Sequence, residues 1–196
     1  MRRGLALLAT ELIGSCILGS WASPVKASTA TGVVVVISAV NVGSNLIARV
    51  EDHVRTSLGA ATRVKCGVLA AHLTVESATA AATNLLESTD VIALALVSVP
   101  GNDRVEKILV KGNVVVLDVE ALKPSELKTP EDMERYERRI DRESMRAIGG
   151  LLGLSSCPIA QCALYRQRNE EELDRKGRNF CPPCRIKAVE ILERMG

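Results

Sequence analysis

A chain of 196 residues, 47% of them hydrophobic, can bury one good core, so one domain is the natural count. Trp21, Tyr136, Tyr165 and Phe180 are its only aromatic residues, which makes that core aliphatic and removes the stacking platform that single-stranded nucleic acid needs. A formal net charge of +2 leaves no polyanion footprint, so no nucleic-acid partner is expected.

Residues 1–31 read as an N-terminal extension, helical or signal-like. Arg2-Arg3, an apolar run to Trp21 and a cleavage-like Val25-Lys26-Ala27 outline a secretory signal, but Glu11 interrupts the apolar run. We expect the segment to stay on a cytoplasmic protein, with export as the alternative. The run is too short and too interrupted for a membrane anchor, and no membrane association is expected.

The remaining residues, 32–196, form the single domain. Val33 to Val40 is a continuous β-branched run of the kind buried on both faces of a sheet. Ser44 can cap a helix carrying Leu46, Ile47, Val50, Val54 and Leu58 at helical spacing. Thr62 to Leu69 alternates as a half-buried strand, alanine-rich Ser77 to Leu86 is helical, and Val91 to Val99 is a strand stopped by Pro100-Gly101. Ile108 to Val110 and Val114 to Leu117 form a hairpin about Lys111-Gly112-Asn113. This order gives an α/β fold, a small mixed sheet that is mostly parallel with an antiparallel edge strand, packed by helices.

A long helix follows. Thr129 is its N-cap, Pro130 stands in the first turn and Glu131-Asp132 meet the positive end of the dipole. Met133, Tyr136, Ile140, Met145, Ile148 and Leu152 mark one face, so the helix should run to about Gly149 or Leu152. Arg138-Arg139, offset by Glu137 and Asp141, read as a solvated face. Glu143 and Arg146 lie one turn apart, a pair worth about 0.3 kcal/mol on an exposed helix. Glu170 to Arg175 is a short helix, and Arg185 to Met195 is a terminal one with Ile186, Val189, Ile191 and Leu192 inward.

Between these helices, Cys157, Cys162, Cys181 and Cys184 fall as C-x4-C-x18-C-x2-C. Two short-range pairs joined by a longer excursion suit one tetrahedral zinc ion, and Pro182-Pro183 stiffens the second pair. Dithiol chemistry at Cys181 and Cys184 ranks second, because a helix follows them, and two disulfides rank third. A zinc-ribbon-like nucleic-acid module is disfavoured by the near-neutral charge. Cys16 and Cys66 lie far off and read as small buried hydrophobes. The excursion from Ala163 to Phe180 is polar, with little apolar matter of its own to hold it folded.

From Arg146 to Cys157 the chain reads RAIGGLLGLSSC, and together with the later cysteines it resembles the archaemetzincin motif, H-E-x-x-H-x-x-G-x-x-H-C-x4-C-x-M closed by a later C-x-x-C. Cys157, Cys162, Cys181, Cys184 and Gly153 match, with the excursion to Cys181 one residue shorter than the pattern. The catalytic positions do not match: Arg146 stands for the first histidine, Ala147 for the glutamate, Gly150 for the second histidine and Ser156 for the third. Leu164 replaces the motif methionine. The resemblance implies a metzincin-like fold with a zinc-bound C-terminal subdomain (157–184), and a substrate groove beside an edge strand, expected at Val114 to Leu117.

A guanidinium has no lone pair to offer, Gly150 has no side chain and Ala147 cannot accept a proton, so no catalytic residue is intact. With only His53 and His72 in the chain, a three-histidine site is arithmetically impossible. A mixed site using Glu143 or Glu137 is the remaining route to a working one. The first reading is therefore an inactive archaemetzincin-like protein that holds one structural zinc and binds a peptide or protein partner. The alternatives are a zinc metallopeptidase with unusual ligands and, more weakly, a thiol redox protein.

Overall fold

A computed structural model of the chain describes residues 30–38, 42–66, 75–99 and 108–196. The expected N-terminal extension falls almost wholly outside those residues, as do Cys16, His72 and the Pro100-Gly101 stop. The described residues form strands β1 (Ala30–Ser38), β2 (Ala60–Cys66), β3 (Asp90–Val97), β4 (Ile108–Lys111) and β5 (Val114–Asp118). Their helices are α1 (Ser44–Leu58), α2 (Val75–Asn84), α3 (Pro130–Leu151), α4 (Glu170–Arg175) and α5 (Pro182–Met195).

The strands lie in the order β2-β1-β3-β5-β4, parallel except for β4, which pairs antiparallel with β5. The α/β fold with an antiparallel edge is thus as expected, and its apolar runs explain it. Val34 to Ile37 and the whole of β3 and β5 are buried, side chains on both faces included, which requires helices on both sides. Helices α3 and α2 each contact β3 and β5 and supply that cover, while α1 touches both α3 and α5.

Three local expectations are corrected. Val114 to Leu117 is not the sheet edge: β5 lies between β3 and β4, buried throughout, and the outer strand is β4, whose Val110 is half exposed. A Val-Val-Val-Leu run loses too much by facing water, so the hairpin turns outward and leaves β4 at the rim. Ser44 does not cap α1, since Gly43 is the N-cap and makes no side-chain bond. In α5, which starts at Pro182, Ile186 points to solvent, while Ala188 and Leu192, one helical turn apart, face the core.

Helix α3 is the backbone of the site. It opens on a capping box in which Thr129 Oγ1 accepts from the Asp132 N–H and Asp132 Oδ2 accepts from the Thr129 N–H, both at 3.1 Å. It closes on Gly153, at φ +74°, with the Gly153 N–H donating to Gly150 and the Leu154 N–H to Gly149, a Schellman ending that turns the chain sharply toward Cys157.

The solvated face expected on α3 is corrected as well. Arg139, Asp141, Arg142 and Glu143 are all buried, because each grips a segment packed over the helix. Arg139 takes Asp174 with two bonds, at 2.6 and 2.8 Å, and Glu170 at 3.1 Å. Arg142 donates to the backbone carbonyls of Lys176 and Asp174 at 2.8 and 2.7 Å. Asp141 accepts from Arg49 of α1 at 2.8 Å. Glu143, fully buried, accepts from Lys176 at 2.7 Å and Gln167 at 3.1 Å on one oxygen, and twice from Arg146 on the other. The excursion is therefore clamped to α3 by buried ion pairs, and it also buries Leu164, Leu173 and Phe180, more apolar matter than its composition suggested.

Burial pushes the Glu143 carboxyl up, but Lys176 and Arg146 outweigh it and hold the group below the ordinary glutamate value of 4.5. A depressed folded pKa contributes stability that is complete above about 4.5 and is lost as pH falls through the folded value. We expect Lys176→Met to cost about 3 kcal/mol, since it strands a buried charge. In urea titrations from pH 7 to pH 3, the stability gap between wild type and Glu143→Gln should narrow as the pH drops below 4.5. A gap independent of pH would show that the pair contributes no charge-dependent stability.

Candidate metal centre

The Schellman turn ending α3 delivers the chain into a knuckle around Cys157 and Cys162. The Cys157 N–H donates to Leu164 at 3.1 Å, the Cys162 N–H to Ile159 at 3.0 Å, and the Tyr165 N–H to Cys162 at 2.9 Å. Cys181 is the N-cap of α5 and its N–H donates to Cys162 Sγ at 3.4 Å, while Cys184 sits in the first turn of that helix. Pro182 and Pro183 occupy the helix start, where a missing N–H costs nothing.

The four sulfurs this assembles all lie within 4.8 Å of one another, with Cys157 and Cys181 3.8 Å apart. A disulfide needs about 2.05 Å, so none of the four is bonded to another. Thiolates about 2.3 Å from a central zinc place tetrahedral sulfurs about 3.8 Å apart, the distance between the Cys157 and Cys181 sulfurs. Cys157, Cys162 and Cys181 are buried and Cys184 is partly so. Four thiols converging in a closed, shielded site fit one structural zinc, and all four residues expected as ligands are brought together. Cys66 ends β2.

One contact that the sequence reading missed closes the base of the excursion. The Gly177 N–H donates to Ala160 at 3.1 Å, and a Cβ at Gly177 would come within 1.7 Å of the Gln161 carbonyl oxygen. The two arms of the loop touch backbone to backbone there. Gly149 admits the excursion onto α3 in a similar way, since a Cβ would lie 2.5 Å from Leu164 Cδ2.

The degenerate motif positions are also gathered in one place. Arg146, Gly150 and Ser156 line a pocket of about 210 Å³ with Leu154, Leu164 and Arg166. Arg146, Ala147 and Gly150 reappear on a larger cleft of about 750 Å³, bounded by Ile108 and Val110 of β4 and by the excursion. No imidazole of the described residues lines it: His53, on α1, lies 3.2 Å from the Arg178 carbonyl oxygen. Glu143 is committed to Lys176, Gln167 and Arg146, and Glu137 to Arg49 at 2.8 Å. Among the described residues, the four cysteines are the one set of three or more His, Cys, Asp or Glu side chains placed to share an ion. No described helix is long and apolar enough to cross a membrane.

Comparison with known proteins follows the same lines. The model of peptidase family M54 matches residues 82–190. The archaemetzincin of Aeropyrum pernix is 39% identical over 54 residues, 28% of this chain and 30% of its own length, and the curated relatives are matched over less than half of theirs. The crystal structure of archaemetzincin from Methanopyrus kandleri shares the fold with a TM-score of 0.63 at 22% identity, over 84% of this chain and 97% of that one. A zinc-dependent peptidase from Methanocorpusculum labreanum does so with a TM-score of 0.58 at 18% identity, over 79% and 99%.

Metal analysis of the purified chain should find one zinc per molecule, and Cys181→Ser should lower it while exposing residues 163–187 to protease with the sheet intact. Unchanged protease resistance of that segment after complete zinc removal would argue against a structural role for the ion. Gly177→Ala should cost about 2 kcal/mol, as overpacking against backbone does, read as a lower denaturation midpoint.

Proposed function

The chain belongs to peptidase family M54, the archaemetzincins, and from that premise we propose that it is a proteolytically inactive member, a zinc-stabilised protein that binds an extended peptide or protein segment without cutting it. The observation that carries this reading is the pocket formed by Arg146, Gly150 and Ser156. The motif positions still face one cavity, yet what they offer is a guanidinium, a bare backbone and a hydroxyl. A hydrolytic zinc needs about three protein ligands, an open water position and a base. Ala147 cannot serve as that base, and Glu143, the acidic side chain nearest in sequence on α3, is spent on three partners.

The binding half of the reading rests on β4. Among the described residues it is an outer strand, so one side of its backbone pairs with no described strand, and Ile108 and Val110 border the 750 Å³ cleft. An extended segment can add to such an edge by main-chain hydrogen bonds. The retained four-thiol site holds the far wall of the cleft in place. Thiols kept reduced for a metal suit a cytoplasmic setting, where we place the protein.

The reading is tested by restoring what the motif lacks. The quadruple variant Arg146→His, Ala147→Glu, Gly150→His, Ser156→His should raise zinc from one to two per chain, because positions 146 and 150 lie one helical turn apart on α3. Wild type should cleave no member of a broad peptide panel. Hydrolysis by wild type that a chelator abolishes and zinc restores would overturn the proposal in favour of a peptidase with unusual ligands.

A further inference from the structure

We infer that the cleft left by the missing catalytic metal is a carboxylate-binding site, built from Arg146, Arg166 and Arg168, that takes the carboxylate of a bound peptide; the peptide part of this rests on the function proposed above. Arg166 lines all three cavities on this side of the protein, and Arg146 and Arg168 line two each. Three cations thus converge on one concave surface. Its one acidic lining residue, Glu170, is already paired with Arg139 at 3.1 Å.

Single arginines on a convex surface are ordinarily solvated and say nothing of a ligand. These differ in two ways. Arg146 is held in position from behind: its Nε and Nη2 donate to the buried Glu143 at 2.8 and 2.5 Å, which leaves Nη1 without a partner among the described residues. The Arg166 and Arg168 guanidiniums have no side-chain hydrogen bond or ion pair with any described residue, although other arginines of α3 and the excursion, Arg139 and Arg142 among them, are spent on carboxylates or carbonyls. In addition, the floor between them is open. A Cβ on Gly150 would meet nothing within 4 Å, so the loss of the second motif histidine leaves room for a small anionic group.

The chemistry selects a carboxylate. Guanidinium groups present paired N–H donors that match a planar two-oxygen acceptor, and these bonds are among the stronger ones proteins make. The strand beside the cleft selects a peptide as its bearer, supplied either by a free C-terminus or by an acidic side chain.

The test uses the zinc-loaded full chain with two probes. The first is succinate, with melting followed against chloride at equal ionic strength. The second is a fluorescent six-residue Val/Thr peptide in three forms: free C-terminal acid, C-terminal amide, and amide with an internal aspartate. Succinate should raise the melting temperature, and Arg166→Ala, at an exposed position that leaves the fold intact, should abolish the rise. One or both carboxylate peptides should bind about tenfold more tightly than the neutral amide, the scale of one charge-assisted hydrogen bond, and whichever does so identifies the source of the carboxylate. That preference should vanish in Arg166→Ala and weaken in Arg168→Ala. A succinate effect lost with Arg166 but no binding of any peptide would support the anion site while removing the peptide reading. Equal binding of all three peptides, or effects untouched by Arg166→Ala, would overturn the inference and leave peptide binding standing.

Discussion

The buried carboxylate of Glu143 is the point on which the C-terminal half of this protein turns. A lone ionised glutamate in an aliphatic interior would be prohibitively costly, so its presence demands partners, and it has four donor bonds from three residues. Two of those residues, Gln167 and Lys176, come from the cysteine excursion, and they also bond to each other at 3.0 Å. The need to neutralise one side chain of α3 therefore dictates where the excursion lies. Arg139 and Arg142 extend the same grip to Asp174, Glu170 and the backbone of Lys176, so the tip of the excursion is fastened by ion pairs while its base is fastened by the cysteines. The two tethers act on different ends of one loop.

This arrangement also explains why so much of the fold, and so little of the clamp, is legible in the sequence. The strands announce themselves because Val34 to Ile37, β3 and β5 are nearly unbroken aliphatic runs, and only a covered sheet accommodates such runs. Helix α3 is equally plain from Thr129-Pro130 and its apolar spacing. The four cysteines are found from spacing alone, since thiol pairs at ligand distance have few other uses. By contrast, Arg139, Asp141, Arg142 and Glu143 look like a solvated face. Charge is a local signal of exposure, and only tertiary partners far along the chain reverse it: the excursion for Arg139, Arg142 and Glu143, and Arg49 of α1 for Asp141. Gly177 escaped for a related reason: a glycine in a polar loop carries no mark of the backbone it must touch.

The edge of the sheet shows the same limit from the other side. Both strands of the hairpin are apolar, and alternation cannot say which lies outermost. The outcome follows from a competition between them: β5, the more uniformly aliphatic, takes the place between β3 and β4, and the shorter β4 ends with Lys111 at the rim. Lysine on an outer strand is a common guard against unwanted pairing, and Lys111 is exposed.

Arg146 links these features. It occupies the first motif position, one helical turn from Glu143, and its salt bridge to that carboxylate places a permanent positive charge in the wall of the cleft. Substituting a guanidinium for an imidazole removes the chance of coordinating a metal but preserves the sign of the local field. At the altered motif positions the cleft wall therefore carries a fixed positive charge, beside a loop fastened to α3 by the Glu143 network and lying next to the four converging cysteines.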